Sequence, residues 1–192
     1  TGPGVLRIRQ DRTNAKNNGA SVLPALTEIV SLRARLLEIR ARRQQPARDD
    51  KIVVSLNGLA IAGLARAGRV VGEQQWIQWA ERAGEYLWQH AFDAKTGGLH
   101  RYVYKGEARG DGLLDDYALL GLGFMALGEA TGEPKWLTRA EALASMIMAR
   151  FVAKDGVVLT STADPRLIVQ AVDLQDHDTP SATSSAYALL AR

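Results

Sequence analysis

The chain has 192 residues, of which 46% are hydrophobic and 23% charged, a composition typical of a globular protein of about one domain. It contains no cysteine, which excludes disulfides, thiolate metal sites and thiol catalysis within this chain. The net charge of +3 is too small to indicate a nucleic-acid partner.

The first predicted elements are an arm and a helix with several arginines. Residues 1–23 are polar and carry several asparagines, so we expect a loosely ordered N-terminal arm. From Pro24 to about Arg43, leucines and isoleucines recur at helical spacing, and the arginines between them are predicted to face solvent. No apolar run approaches the roughly 20 residues of a membrane span, and the residues after Thr1 lack a signal-peptide pattern. We therefore expect no membrane contact and a cytoplasmic location.

An internal repeat organises the rest of the chain. A shift of sixty positions places Gly63 on Gly123 and Trp76 on Trp136. Each repeat consists of an apolar helix with several glycines, a glycine turn and an amphipathic helix, which predicts an all-α fold of inner and outer helices. Buried inner helices are predicted near 53–70, 116–131 and 181–192, and less buried outer helices near 73–91 and 134–151. Residues 24–192 are therefore expected to form part of an α/α toroid.

The connections from an outer helix to the next inner helix are long and should emerge at one end of the fold, which we call the rim. They comprise residues 92–114 and 152–179. Residues 99–104 in the first connection, and 157–162 and 167–169 in the second, have the composition of strands, so we expect short β-hairpins there. Long connections in a compact fold are usually functional, and the rim is therefore the predicted place of a site.

Two interpretations remain open for the acids at the start of the second inner helix. Asp115 and Asp116 could supply the general acid or base for cleavage of a glycosidic bond. Alternatively, they could cap the helix by accepting hydrogen bonds from its first N–H groups. His100 and His177 could act as the acid and base pair that epimerisation needs. No short spacing of His, Asp and Glu predicts a metal site, and we expect no cofactor.

Ligand contacts are predicted from polar and aromatic side chains at the same rim. The predicted ligand-binding residues are Asn57, Arg101, Tyr102, Tyr117, Asp173 and Ser181. We expect most of them to converge with Asp116, because converging helix N-termini make a rim locally positive and suited to hydroxyl-rich or anionic ligands. A sugar-like small molecule is the expected ligand.

Five separated motifs carry a resemblance to a known family. In chain order they are Asp49-Asp50-Lys51-Ile52 with Asn57-Gly58-Leu59, Gly98-Leu99-His100-Arg101, Leu114-Asp115-Asp116-Tyr117-Ala118, Ala130-Thr131-Gly132-Glu133-Pro134-Lys135-Trp136-Leu137, and Asp173 with Thr179-Pro180-Ser181. Over about residues 30 to 192 the chain resembles the helical region of thioredoxin-domain-containing proteins related to spermatogenesis-associated protein 20. The resemblance implies a six-hairpin, glycosidase-like toroid that follows a thioredoxin-like domain. The implied partners of this segment are that domain and the remainder of the toroid.

Three polar motifs depart from the family's pattern. Leu56 replaces a usual Trp, the segment 170–173 lacks two positive charges, and the segment 180–184 differs at its glycine and asparagine positions. These departures favour a ligand-binding or degenerate carbohydrate-active module. The alternative is an active sugar hydrolase or epimerase that uses the rim carboxylates, so the sequence leaves open whether the protein is an enzyme. A hydrolase should show paired carboxylates facing a cavity, with one pKa raised by burial, whereas a binding module should use these acids as caps.

Overall fold

The computed structural model describes residues 22–154, 156–157, 168 and 171–192, with side chains described from residue 28 onward. Most of the predicted arm, and most of the predicted strands at 157–162 and 167–169, lie outside the described residues. The chain divides into two compact units, residues 1–48 and 49–192, and each is considered by itself. The predicted boundary at residue 23 stays a prediction.

The described part of the first unit contains one helix, α1, at Val22–Ala41. It lies close to the helix predicted between Pro24 and Arg43. All its described side chains are exposed, including the arginines that were predicted to face solvent. The apolar side chains Ile29 and Leu36 are exposed as well. Among the described helices of both units, none is long and apolar enough to cross a membrane.

The described part of the second unit alternates long helices with short strands. Its helices are α2 (Val54–Val71), α3 (Gln74–His90), α4 (Leu114–Thr131), α5 (Pro134–Arg150) and α6 (Ala182–Leu190). Its strands are β1 (Ile52–Val53), β2 (Phe92–Asp93), β3 (Gly98–Tyr104), β4 (Glu107–Asp111), β5 (Val152–Ala153) and β6 (Gly156–Val157). Helices α2 and α3 form one helical hairpin, α4 and α5 form the next, and α6 opens a third, as the repeat predicts.

The inner helices are more buried than the outer helices. Twelve of the 18 residues of α4 are buried, against four of the 17 residues of α5. Seven of the 18 residues of α2 are buried, against four of 17 in α3. Helix α4 is apolar on nearly every side because α2, α5 and α6 all pack against it. The predicted distinction between inner and outer helices is confirmed.

The glycines of the inner helices serve close packing and helix termination. A Cβ atom on Gly58 would lie 2.5 Å from the backbone nitrogen of Leu120, so the backbones of α2 and α4 meet at this point. Gly72 and Gly132 end α2 and α4 at equivalent repeat positions with φ of 75° and 72°. This left-handed conformation is easily adopted only by glycine, which explains why both repeats place a glycine there.

Strand β3 lies beside the start of α2, the end of α3 and the start of α4, because it pairs with the short strands next to those helix ends. It pairs in antiparallel fashion with β1, β2 and β4, with Val103 opposite Ile52, Leu99 opposite Phe92, and Tyr102 opposite Arg109. In the second connection, β5 and β6 form another antiparallel hairpin. Each connection therefore contains a short β-hairpin, as predicted, although the second lies at residues 152–157, before most of the predicted strand positions. The first hairpin carries Arg101 to the N-terminus of α4.

Candidate functional site

The Asp116 carboxylate lies at the junction of two inner helices and strand β3. Its Oδ2 atom accepts hydrogen bonds from the backbone N–H of Leu113 at 2.9 Å and from Arg101 Nη1 at 2.9 Å. Its Oδ1 atom accepts a hydrogen bond from the backbone N–H of Ser55 at 3.0 Å. Because Leu113 precedes α4 and Ser55 lies in the first turn of α2, one carboxylate caps both helices. The side chain of Asp116 is 0% exposed.

Asp115 shares the same guanidinium group but lies nearer to solvent. Arg101 Nη1 approaches the two carboxylate oxygens of Asp115 at 2.6 and 2.7 Å. The side chain of Asp115 is 22% exposed and that of Arg101 is 32% exposed. Two carboxylates and one guanidinium therefore form a compact cluster at the start of α4, which we call the Arg101 cluster.

The electrostatics of the Arg101 cluster follow from burial and from its close charges. The pKa of Asp116 is raised to about 6, because burial and the charge of Asp115 raise it by more than the hydrogen bond and charge of Arg101 lower it. Burial by itself would lower the pKa of Arg101, but the hydrogen bonds and negative charges of Asp115 and Asp116 together outweigh burial and raise it. At neutral pH Asp116 is mostly ionised and Arg101 is protonated.

The Arg101 cluster meets one criterion for a catalytic pair and fails another. Burial raises the pKa of one carboxyl group, as expected for a general acid. However, both oxygens of Asp116 accept hydrogen bonds from the protein, and its side chain has no exposed surface. A general acid or base must come within hydrogen-bond distance of the reacting atom. In this arrangement Asp116 acts as the cap of two helices.

A second group of polar residues caps the inner helix α6. The side chain of Ser181 accepts a hydrogen bond from the backbone N–H of Ser184 at 3.1 Å. Asp173 Oδ2 accepts one from the backbone N–H of Ala182 at 2.9 Å, and Asp176 Oδ1 accepts one from the backbone N–H of Ser181 at 2.7 Å. Asp173 and Ser181 were predicted to bind a ligand, and the structure gives both a role at the N-terminus of α6.

Tyr117 is the clearest correction to the predicted site. It is 1% exposed, and its hydroxyl oxygen accepts a hydrogen bond from the backbone N–H of Leu99 at 2.7 Å. Its ring packs against Phe151, with 5.1 Å between the ring centroids. The ring has no free face for a sugar, because it lies on the side of α4 that packs against β3 and the core. Tyr117 is therefore a core residue.

Two other predicted rim residues have contacts of their own near the start of α2 and on β3. The side-chain amide of Asn57 donates a hydrogen bond to the carbonyl of Val53 at 2.8 Å, within the first turns of α2. Tyr102 is half-buried, and Lys51 Nζ lies 5.6 Å from the centroid of its ring. Of the residues expected to meet at the rim, Arg101 contacts Asp116 directly, and the convergence of the polar residues Asn57 and Asp173 stays a prediction.

The two histidines of the connections also have separate surroundings. His100 Nδ1 lies 3.2 Å from the carbonyl oxygen of Gly110, to which it donates when it carries the proton. His177 is exposed, and its backbone N–H donates to the carbonyl of Thr179. Within the described residues no hydrogen bond joins these two histidines, and no group of three or more His, Asp and Glu side chains could hold a metal ion.

A cleft of about 290 Å³ lies between α2 and α6, with α4 beneath it, and we call it the inner cleft. It is lined by Leu59, Ala62, Arg66, Leu119, Leu122, Asp176, Pro180, Ser184, Ser185 and Ala188. Arg66 is exposed and forms no salt bridge with another described residue. Sequence reasoning missed Arg66 and Ser184 as site residues. The available signal was the helical spacing of Leu59, Ala62 and Arg66, which places them on one face of α2.

Comparison with known proteins confirms the resemblance. No protein-family model matches the chain. The chain is homologous to human spermatogenesis-associated protein 20, with 32% identity over 145 residues that make up 71% of this chain and 18% of the human protein. An uncharacterised protein of Caenorhabditis elegans is 30% identical over 192 residues, which cover 95% of this chain and 26% of that protein. The chain thus spans about a fifth to a quarter of the length of these relatives.

Solved structures establish the fold. A sugar epimerase from a ruminal bacterium superimposes with a TM-score of 0.59 and 17% identity, over 76% of this chain and 38% of that chain. The cellobiose 2-epimerase of Spirochaeta thermophila gives a TM-score of 0.57 and 17% identity, over 89% of this chain and 48% of that chain. The unsaturated glucuronyl hydrolase of Bacillus sp. GL1 gives a TM-score of 0.53 and 21% identity, over 78% of this chain and 41% of that chain. Identities this low show the fold alone, and the predicted α/α toroid of the six-hairpin, glycosidase-like type is confirmed.

Proposed function

Starting from the homology to spermatogenesis-associated protein 20, we propose that this chain is a carbohydrate-binding module built on part of a six-hairpin toroid. In this proposal it binds a sugar-like small molecule without converting it. In this proposal the intact protein also carries a thioredoxin-like domain and the remaining hairpins; the motif resemblance supports this, as does the length of the matched relatives, of which the chain spans 18% and 26%. A cytoplasmic location is part of the same proposal.

The observation that carries the proposal is that both carboxylate oxygens of Asp116 are hydrogen-bonded within the protein. Three donors, from Ser55, Leu113 and Arg101, occupy its two oxygens, and the side chain has no exposed surface. Asp115 is held by the same guanidinium at 2.6 and 2.7 Å. A carboxylate that caps two helices cannot leave its partners to transfer a proton without exposing their N–H groups. These contacts support binding without catalysis.

A carbohydrate is the favoured ligand class for two reasons. The structures that share the fold include two sugar epimerases and a glucuronyl hydrolase. The inner cleft of this chain also has the make-up of a sugar site, with leucines from α2 and α4 beside the polar side chains Arg66, Asp176 and Ser184. Small-molecule sites typically combine apolar walls with a few polar groups that fix the orientation of the ligand.

The proposal is tested by measuring binding and turnover together. The full chain is incubated with a panel of monosaccharides and disaccharides, with binding followed by saturation-transfer NMR and conversion by proton NMR. We expect binding of at least one sugar and no conversion over a day. If none of these sugars binds, the proposal is wrong.

Two substitutions decide between a binding module and an enzyme. Asp116→Asn and Asp115→Asn are compared with the unaltered chain, and circular dichroism confirms that each variant is folded. We expect sugar binding to persist in every variant that folds. Conversion of a sugar by the unaltered chain, abolished by Asp116→Asn and retained by Asp115→Asn, would establish the hydrolase or epimerase alternative instead.

A further inference from the structure

We propose that the inner cleft binds a single monosaccharide that carries a carboxylate group, and that Arg66 is its carboxylate contact. This inference, which rests on the proposed function, names the class of ligand and the residue that selects it.

The inner cleft has the shape of a small-molecule site. Helices α2 and α6 form its two walls, and Leu119 and Leu122 of α4 form an apolar floor between them. Its volume of about 290 Å³ is just below the range of roughly 300–1,000 Å³ found for ligand pockets. A cleft of this size suits one sugar ring, whose C–H groups can pack on the two leucines.

Arg66 supplies the positive charge of the cleft. It lies on the same face of α2 as Leu59 and Ala62 and is the only Lys or Arg among the described lining residues. It forms no salt bridge with another described residue, in contrast to Arg101, which two carboxylates hold at the start of α4. The planar guanidinium group presents paired N–H donors that match the two oxygens of a carboxylate. Arg66 is therefore placed to bind an anionic group of a ligand.

The opposite end of the cleft carries hydrogen-bonding groups for hydroxyls. Asp176 precedes α6, and only its Oδ1 atom is engaged by a described residue, the backbone N–H of Ser181. Ser184 lies one turn into α6 and adds a hydroxyl to the cleft lining. Carboxylate oxygens accept hydrogen bonds, so Asp176 can receive the hydroxyl protons of a sugar.

The two charged groups lie at different depths because the inner helices run parallel. Gly121, the eighth residue of α4, faces Leu189, the eighth residue of α6. Arg66 lies about three turns into α2, whereas Asp176 precedes α6, and both side chains line the same cleft of about 290 Å³. The cleft is thus positive at its deep end and negative near the rim. A ligand with a carboxylate at one end and hydroxyls at the other matches this arrangement.

The test measures the affinity of the full chain for D-glucuronate, D-glucose and acetate by NMR titration. We expect glucuronate to bind about tenfold or more tightly than either of the other two, because a charge-assisted hydrogen-bond pair is worth at least that factor. Substitution Arg66→Gln should weaken glucuronate binding about tenfold or more. The matched control Arg69→Gln removes one charge from the same helix outside the cleft and should change the affinity less than about twofold.

A second variant tests the other end of the cleft. Asp176→Asn keeps an oxygen for the N–H of Ser181 and removes the negative charge, and we expect it to weaken the binding of hydroxyl-bearing ligands while leaving the melting temperature within a few degrees. Equal weakening by Arg66→Gln and Arg69→Gln, or acetate binding as tight as glucuronate binding, would overturn the inference. If glucose binds as tightly as glucuronate and its affinity is unchanged in Arg66→Gln, the inference is wrong and the proposed function still stands. Failure of every sugar to bind overturns both.

Discussion

The backbone N–H of Ser55 donates a hydrogen bond of 3.0 Å to the carboxylate of Asp116, 61 residues later in the chain. Ser55 lies in the first turn of α2, and Asp116 lies in the first turn of α4, the equivalent helix of the next repeat. Both helix N-termini carry a partial positive charge, so a carboxylate between them is stabilised by both. This relationship explains how the fold accommodates a fully buried acid.

Removal of Arg101 should destabilise the second unit strongly. The substitution Arg101→Met leaves Asp115 and Asp116 without their shared cation, and loss of one partner of a buried ion pair costs about 3 kcal/mol or more. The matched control is Arg109→Met, because Arg109 pairs with Glu107 in an exposed position. That change should have little effect on stability, because an exposed ion pair contributes little to it. Urea unfolding measures both values, and similar values for the two variants would contradict the buried role of the Arg101 cluster.

The raised pKa of Asp116 predicts a specific pH dependence of stability. Its pKa rises from the ordinary value of 3.8 to about 6, so the folded chain binds this proton more tightly than the unfolded chain. The stability from this group is therefore complete below about pH 4 and is lost as the pH rises through 6. At about 1.4 kcal/mol per pKa unit, the free energy of unfolding from this group falls by roughly 2–3 kcal/mol between pH 4 and pH 7.

The measurement compares the unaltered chain with Asp116→Asn by urea unfolding at several pH values. Carboxyl groups common to both proteins cancel, so the stability advantage of the unaltered chain should shrink as the pH rises. The exposed Asp111 provides the control variant Asp111→Asn, for which we expect no such trend. An advantage that grows with pH would mean that the pKa of Asp116 is lowered in the folded chain.

Substitution by alanine at two glycines of α2 should change the stability of the chain in opposite directions. A Cβ at position 58 meets the backbone of Leu119 and Leu120, which cannot move aside cheaply, so Gly58→Ala should destabilise by about 1–3 kcal/mol. A Cβ at position 63 meets nothing within 4 Å, so Gly63→Ala should stabilise by roughly 0.5–1 kcal/mol through helix propensity. Thermal unfolding distinguishes the two. Equal destabilisation by both changes would show that α2 and α4 do not meet at Gly58.

Tyr117→Phe tests the core position of that tyrosine. The change removes the oxygen that accepts the buried N–H of Leu99, and an unpaired buried donor costs about 1–3 kcal/mol. Tyr187 is exposed, and Tyr187→Phe should lie within about 0.5 kcal/mol of the unaltered chain. Sugar affinity should not change in either variant. A selective loss of sugar binding in Tyr117→Phe at unchanged stability would restore the stacking role predicted from the sequence.

The sequence by itself determined the helical architecture of the second unit. Helical spacing of apolar residues predicted each inner and outer helix, and the sixty-residue repeat predicted that they alternate. These features can be predicted from the sequence because they depend on neighbouring residues. A buried helix needs apolar residues on several sides, and a helix that ends in a left-handed backbone conformation, as at Gly72 and Gly132, needs glycine there. The hairpin at β3 was predicted for the same reason, from strand-forming residues bounded by glycine turns.

Only the tertiary structure decided what the polar residues do. Asp115 and Asp116 are neighbours in sequence, yet one is partly exposed and the other fully buried, because the donors of Asp116 come from Ser55 and Arg101 in other elements. Tyr117 follows Asp116 directly in the sequence, and its side chain is buried in the core. Arg66 lines a cleft only because α6 lies across α4 from it. Which distant segments meet determines the burial of a side chain, its hydrogen-bond partners and the sign of the charge in a cleft. The local spacing of residues does not predict these contacts.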